Sequence, residues 1–480
     1  MNSDLSLQEK LYYWFGFTDF RPGQLEILKY LNLGRNVFGV LPTGTGKTLI
    51  YQFFGKLINK PIVIVSPLIS LMQDQVDRMR YLGEKKTIAL TSNLNFNEKK
   101  KVLNNLNKYN YIYISPEMLS QEDVIKSFKN IDLGLFVIDE VHCIIQWGPD
   151  FRPDYLNLKN VINYLNFPQI LMLTATASSK DRSSIINILN LSNVKFVTKS
   201  VNRSNIMLSV KYCDDKEDKN NKLLSLVNKF KSPGIIYFSS KKIANKITNL
   251  LKVKTNLNVE AYHSDLDSEN RYRIQHQFMN NHLDLICATS AFGMGIDKND
   301  IRYVIHYHMP SNIESYIQEI GRAGRDGLSS IAIILYQDND ETLQYNLLIN
   351  NIPDDSMVSF YYDNYQSLKN TVEDKLDLLK YYYDHHYSLD ETKNVFKLRS
   401  FEQNNNLNAM IDYVDNHSCR RNKLLSYFNE SFDNHDDKCC DGNETILDDS
   451  ELLNQHDYKK DNYIKNWHQI IDSLFNKPLN

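Results

Sequence analysis

One rhythm, used twice, restricts the fold more than any other feature. Between residue 36 and about 200, short apolar runs alternate with longer amphipathic stretches. The runs are Val37–Leu41, Ile62–Ser66, Tyr111–Ser115, Leu135–Asp139 and Ile170–Thr174, and each closes on polar or turn residues. Runs of this kind read as strands, and helical patterns such as Leu68–Leu82 between them supply the crossovers of a parallel sheet covered on both faces. After a strand-like Ile206–Tyr212 and a polar break at Asp214–Asn221, the rhythm restarts with Gly234–Phe238, Val259–Tyr262, Leu283–Thr289, Val304–Tyr307 and Ile331–Tyr336. Helical segments around Ala244–Leu251, Arg271–Met279 and Ile313–Ile320 fill its gaps. The expected fold class is therefore α/β, two tandem parallel-sheet domains covering 1–205 and 206–345. Beyond 345 the strand signal fades. Leu368–Tyr383 and Leu407–Tyr413 read as helices of a small domain over 346–445 that ends in a cysteine-rich segment. A polar tail, 446–480, carries one helical pattern near Tyr463–Phe475.

Composition excludes several classes. Hydrophobic residues make up 42% and charged residues 24% of 480, a globular balance rather than that of a disordered chain or a fibre. No apolar run reaches the ~18 residues that a membrane span needs. Met1 to Lys10 is polar and lacks the form of a signal or transit peptide. The net charge of −3 means that any nucleic-acid contact needs a local basic groove. Three single cysteines, Cys143, Cys213 and Cys287, and three near the C-terminus, Cys419, Cys439 and Cys440, form no disulfide framework and point to a reduced, intracellular setting for a soluble protein. Glycine is scarce, 17 of 480, yet Gly44, Gly46, Gly293, Gly295, Gly321, Gly324 and Gly327 crowd into three segments. Backbone in those segments is expected to approach something closely.

The first glycine segment, Pro42-Thr43-Gly44-Thr45-Gly46-Lys47-Thr48, follows a strand and opens a helix. Backbone amides there can curl round phosphate oxygens at a helix N-terminus. Lys47 would reach the β/γ-phosphates and the Thr48 hydroxyl would coordinate Mg²⁺. Leu41 stands where the usual leading glycine belongs. Leu135-Phe136-Val137-Ile138-Asp139-Glu140 is a strand running into two acids. Asp139 is placed to hold Mg²⁺, and Glu140 to orient and deprotonate an attacking water. In the second domain, Gln318-Glu319-Ile320-Gly321-Arg322-Ala323-Gly324-Arg325-Asp326-Gly327 carries two arginines three apart. On a helix that spacing puts Arg322 and Arg325 on one face, suited to sensing a γ-phosphate across an interdomain cleft.

With these elements in order, the chain resembles superfamily 2 helicases, and more narrowly the RecQ family. Phe15-Gly16-Phe17 and Phe20-Arg21-Pro22-Gly23-Gln24 resemble the family's leading motif, which implies that Arg21 and Gln24 read adenine beside Thr43, Gly44, Thr45, Gly46, Lys47 and Thr48. Ser66 to Gln75 resembles motif Ia, Leu173-Thr174-Ala175-Thr176-Ala177 motif III, Ala291 to Lys298 motif V, and 318–327 motif VI. Asp139-Glu140-Val141-His142 with Gln146-Trp147-Gly148 and Asp150 to Tyr155 resembles motif II plus an aromatic-rich loop. The resemblance implies two RecA-like domains and a 3′-to-5′ DNA helicase that translocates on single strands and unwinds forked duplexes. Gln146, Trp147, Phe151 and Arg152 would contact the strand, since flat aromatic faces stack on bases and arginine meets phosphates. His142 is placed either to contact Gln318 across the cleft or to serve as a structural histidine. Val141, Ile145 and Pro149 depart from the family pattern, and Pro149 removes an amide from the loop.

Cys419-Arg420-Arg421 and the following Leu424 to Phe428 resemble the start of the family's zinc-binding domain. Asn443 and Asp437 stand where cysteines belong, so a Zn²⁺ site would recruit Cys419, His435, Cys439 and Cys440. The alternative is a decayed site held by packing. The 37 residues from 444 onward are too few for a winged helix of ordinary domain size, so the resemblance is to short forms lacking winged-helix and HRDC domains. Two rival functions remain open at this level. RNA could replace DNA as the track, or the chain could be an ATP-gated nucleic-acid-binding translocase with little unwinding.

Overall fold

The computed structural model describes residues 6–146, 152–293, 298–371, 373–432, 438–441 and 452–453. The first sheet contains β1 (Val37–Val40), β2 (Ile62–Val65), β3 (Thr87–Leu90), β4 (Tyr111–Ile114), β5 (Leu135–Ile138), β6 (Ile170–Thr174) and β7 (Lys195–Thr198). The second contains β8 (Ile206–Cys213), β9 (Gly234–Tyr237), β10 (Val259–Tyr262), β11 (Leu285–Ala288), β12 (Tyr303–His306) and β13 (Ser330–Gln337). Their orders are β3-β4-β2-β5-β6-β1-β7 and β10-β11-β9-β12-β13-β8. Every pairing within the two sheets is parallel.

Alternation along each central strand sends neighbouring side chains to opposite faces. In β1, Val37 joins one core with Leu31, Ile50 and Phe54, while Phe38 and Val40 join another with Phe136, Ile162 and Met172. Each fully buried side chain of this size contributes ~1.5–3 kcal/mol, so helices are required on both faces. Strand β1 lies between β6 and β7. The loops leaving the carboxyl ends of β1, β5 and β6 therefore share one rim, where open α/β sheets bind ligands.

Several elements differ from the sequence expectation. Strands β3 and β7 were not anticipated, because β3 is four residues at one border of the sheet and β7 buries Val197 alone. Leu368–Tyr383 divides into helices Tyr365–Leu368 and Asp374–Asp384. Leu407–Tyr413 is the end of a 26-residue helix, Leu389–Val414. Its middle lacks a continuous apolar stripe because its two ends serve different cores. Phe396 packs with Tyr361, Leu379 and Tyr382, whereas Leu407, Met410 and Tyr413 pack against the second sheet. The expected helix at Tyr463–Phe475 lies outside the described residues.

Candidate active site

Leu41 extends β1 by one bond, donating its N–H to the Thr174 carbonyl at 2.9 Å, and its side chain is fully buried. That position needs bulk, so the turn begins at Pro42 and glycine is first required later. Gly44 has φ +81°, in the left-handed region that favours glycine. Lys47 and Thr48 then open the helix Lys47–Ile58. The Arg21 guanidinium donates to the Gly44 carbonyl, and the Gln24 amide donates to Thr45 O at 2.8 Å and Gly46 O at 3.0 Å. Both residues expected to read a base are thus gathered at the loop, with these donors directed to its carbonyls.

At the end of β5, Glu140 adopts φ +48°, and its N–H bonds the Asp139 carboxylate at 3.0 Å. A non-glycine residue in that region stores strain of order 1–3 kcal/mol; here the turn brings Glu140 Oε1 to 3.4 Å from Lys47 Nζ. Burial pushes the Asp139 carboxyl up, and the adjacent Glu140 charge adds to this against the pull of Lys47. Burial also raises Glu140, but the Lys47 ammonium and His142 outweigh it and hold that carboxyl low. Two neighbouring carboxyls therefore differ in proton affinity, Glu140 keeping its charge more readily than Asp139. Thr48 and Asp139 are the residues that could hold Mg²⁺, a hard cation that takes oxygen ligands.

The second domain reaches this rim directly. Thr43 Oγ1 donates to Gly321 O at 2.9 Å, and a Cβ added to Gly321 would lie 2.3 Å from Thr43 Oγ1. The Gln318 amide lies 3.2 Å from His142 Nε2 and 3.1 Å from Thr176 Oγ1, while His142 Nδ1 is 3.0 Å from Thr174 Oγ1. His142 is buried and bonded within its own lobe as well as in contact across the cleft, so both readings of it are met. The arginines are not on a helix. The helix Ile313–Ile320 ends before them, and Gly324, with its N–H bonded to Ile301 O at 2.8 Å, carries the chain away in turns. As a result the two side chains diverge. The Arg325 stem lies 3.3–3.7 Å from the position of a Cβ on Gly44, whereas the buried Arg322 donates to Gly293 O.

The expected strand contacts are placed in part. Arg152 donates to Pro67 O and lies 3.5 Å from Glu117, so its charge faces protein partners. The Gln146 carbonyl accepts from Arg399 of the long helix at 2.5 Å. Trp147 and Phe151 lie outside the described residues.

Cys419, Cys439 and Cys440 converge, with Sγ of Cys419 3.8 Å from that of Cys439 and 3.9 Å from that of Cys440. Zinc–thiolate bonds of ~2.3 Å imply tetrahedral sulfur–sulfur edges of about 3.8 Å; the two edges from Cys419 match this, and all three thiols lie within 4.8 Å of one another, so they could hold one ion. His435 lies outside the described residues. The segment is fixed from below by contacts that sequence reasoning did not assign. Asp441 accepts from Val210 N at 2.7 Å and from Ser209 Oγ at 2.9 Å and pairs with Arg420, and Cys440 bridges Leu208 of β8 in parallel. The signal available was the Arg-Arg pair after Cys419.

Two parallel α/β lobes meeting over a glycine-bearing loop at a helix N-terminus, with the Arg325 stem brought against it from the second, define a helicase of the tandem RecA-like class. Residues 21–185 match the DEAD/DEAH box helicase family, 218–327 the helicase conserved C-terminal domain and 384–443 the RecQ zinc-binding family. The chain belongs to the RecQ family of ATP-dependent helicases. It is 44% identical over 342 residues to RecS of Bacillus subtilis, named a probable ATP-dependent DNA helicase, covering 71% of this chain and 69% of that one. It is 36% identical to the ATP-dependent DNA helicase RecQ of the same organism, over 71% of this chain and 58% of the relative. A protein of Acanthamoeba polyphaga mimivirus, whose name assigns it provisionally to ATP-dependent RNA helicases, is 33% identical over 92% of this chain and 73% of its own length. The fold matches the DEAD-box helicase Mss116 bound to ssRNA and UDP-BeF with a TM-score of 0.59 and 16% identity, over 84% of this chain and 90% of that one. Among the described residues no helix is long and apolar enough to cross a membrane.

Proposed function

We propose that the chain is a 3′-to-5′ DNA helicase of RecQ type that couples Mg·ATP hydrolysis to movement along a single strand. In this reading 1–205 is the lobe that holds the nucleotide, 206–345 the lobe that senses it, 346–445 the domain that braces both, and 446–480 a tail. Lys47 and the amides of Thr43 to Thr48 bind the phosphates, with Arg21 and Gln24 at the base. Mg²⁺, held through Thr48 and Asp139, supplies charge neutralisation at the phosphates. Glu140 accepts the proton of the attacking water, and Arg322 and Arg325 stabilise charge on the γ-phosphate. Gln318 reports closure of the lobes to motifs II and III through His142 and Thr176. A Zn²⁺ ion on the cysteine cluster, a single strand along Gln146, Trp147, Phe151 and Arg152, and an intracellular setting complete the proposal. The observation that carries it is the Arg325 stem lying against Gly44 of the phosphate loop.

ATP turnover measured with DNA and RNA oligonucleotides side by side, and displacement from forks with 3′ or 5′ tails, test it. DNA should stimulate turnover, and 3′-tailed forks should be opened. Glu140→Gln should bind Mg·ATP within a few-fold of wild type and lose turnover by ~10²–10⁴-fold. Stimulation by RNA alone would instead favour the second reading, which the mimivirus relative motivates. Equal displacement by Glu140→Gln and wild type would exclude a motor driven by ATP.

A further inference from the structure

The lobes are joined covalently by the short segment between β7 and β8, and one side chain in it does more than connect. Arg203 extends into the seam. Its Nη1 donates to Gly321 O at 3.1 Å and lies 3.5 Å from Thr43 O; its Nη2 donates to Ala323 O at 3.1 Å and Gly324 O at 2.7 Å. One of those carbonyls precedes Arg322 and the other two lie between Arg322 and Arg325. Asn205 adds a further bond to Gly324 O at 2.9 Å. A guanidinium presents five donors in a rigid plane. It is therefore able to hold several turn carbonyls in one register, which a single ammonium cannot do.

The linker is gripped from the other side by a second arginine. Arg421 is 3% exposed, and every one of its N–H donors has a partner. Nη1 bonds Asn202 Oδ1 at 2.7 Å and Arg203 O at 3.0 Å, Nη2 bonds Ile206 O at 2.5 Å and Cys439 O at 3.1 Å, and Nε bonds Cys439 Sγ at 3.3 Å. An uninterrupted path of charge-assisted bonds thus runs from the cysteine cluster through Arg421 to the linker, and through Arg203 to the turn that carries the two arginines.

We propose that Arg203 is a positioning residue for Arg322 and Arg325, and that Arg421 anchors it so that the geometry of the cysteine cluster is transmitted to the nucleotide cleft. The inference rests on the reading of those two arginines as γ-phosphate sensors. In the full-length protein, Arg203→Gln should lower kcat for DNA-stimulated ATP hydrolysis by at least ~10-fold while ATP KM moves less than about threefold, because the change acts on groups used in the transition state. Added to Arg325→Ala, it should cost less than about a further twofold, since both act through one unit. Hydrogen exchange of a peptide spanning 318–328 should quicken in Arg203→Gln while that of 47–58 stays the same, which separates local release from general loosening. Arg421→Lys should keep the bound zinc of wild type and show the same faster exchange over 318–328. Full additivity with Arg325→Ala, or unchanged exchange over 318–328 in Arg203→Gln, would overturn the proposal. A wild-type protein without ATP turnover would overturn the sensor reading instead, and the exchange measurement would still decide the positioning role.

Discussion

Glu314 sits in the first turn of the helix leading into the arginine segment, where free amides favour a carboxylate. Its side chain is buried, with the Tyr427 hydroxyl donating to it. Burial pushes the Glu314 carboxyl up, and the Tyr427 bond only partly opposes this. A carboxyl whose affinity for a proton is higher in the folded chain than in the unfolded one has its full effect at low pH. That contribution is then lost as pH rises through the ordinary glutamate range and beyond. Glu314→Gln removes the titration, so its thermal midpoint should gain on wild type as pH rises above the ordinary glutamate value of about 4.3. Scanning calorimetry at several pH values checks this, and a constant difference would refute it. Tyr427→Phe, which leaves the carboxylate without its donor, should cost ~1–3 kcal/mol at neutral pH.

Elements were legible wherever one physical demand ran through a contiguous stretch. The central strands announce themselves because every residue of β1, β2, β4, β5 and β6 is buried, and Lys47, Asp139 and Glu140 stand at ends of such strands or helices. Strand β7 is mostly exposed, and the long helix divides its apolar residues between two cores, so neither shows one clean period. Arg203 was unreadable because its partners are carbonyls far along the chain, which leave no mark on side-chain identity. The three cysteines lay between these extremes. Their types suggested a metal, but only the fold brings Cys419 beside its two partners. Protein purified with zinc available should carry about one ion per chain by elemental analysis. Cys440→Ser should lose it together with several degrees of thermal stability, since ligand binding is folding free energy in such small sites. An unchanged zinc content would remove Cys440 from the ligand set.

Across the whole molecule, the seam between the lobes combines side-chain bonds, such as Gln318 to His142 and Gln275 to Asp74, with a close backbone approach at Gly321. Gly321→Ala would place a methyl group 2.3 Å from Thr43 Oγ1 and 2.9 Å from Ile317 O, distances that force the lobes or the turn to move. Turnover should fall by at least ~10-fold, with circular dichroism unchanged and small-angle scattering reporting greater separation of the lobes. Unaltered turnover would show that this contact is not made during catalysis. The strip from Cys439 to Asp441 has a consequence of another kind. It lies along β8, which has no other strand on that flank among the described residues, and it takes up Leu208 N and Val210 N. A bare flank of that length is a template for a neighbouring chain. A protein shortened to end before residue 438 should therefore pair with copies of itself through its second sheet, seen as a rise in mass with concentration by light scattering.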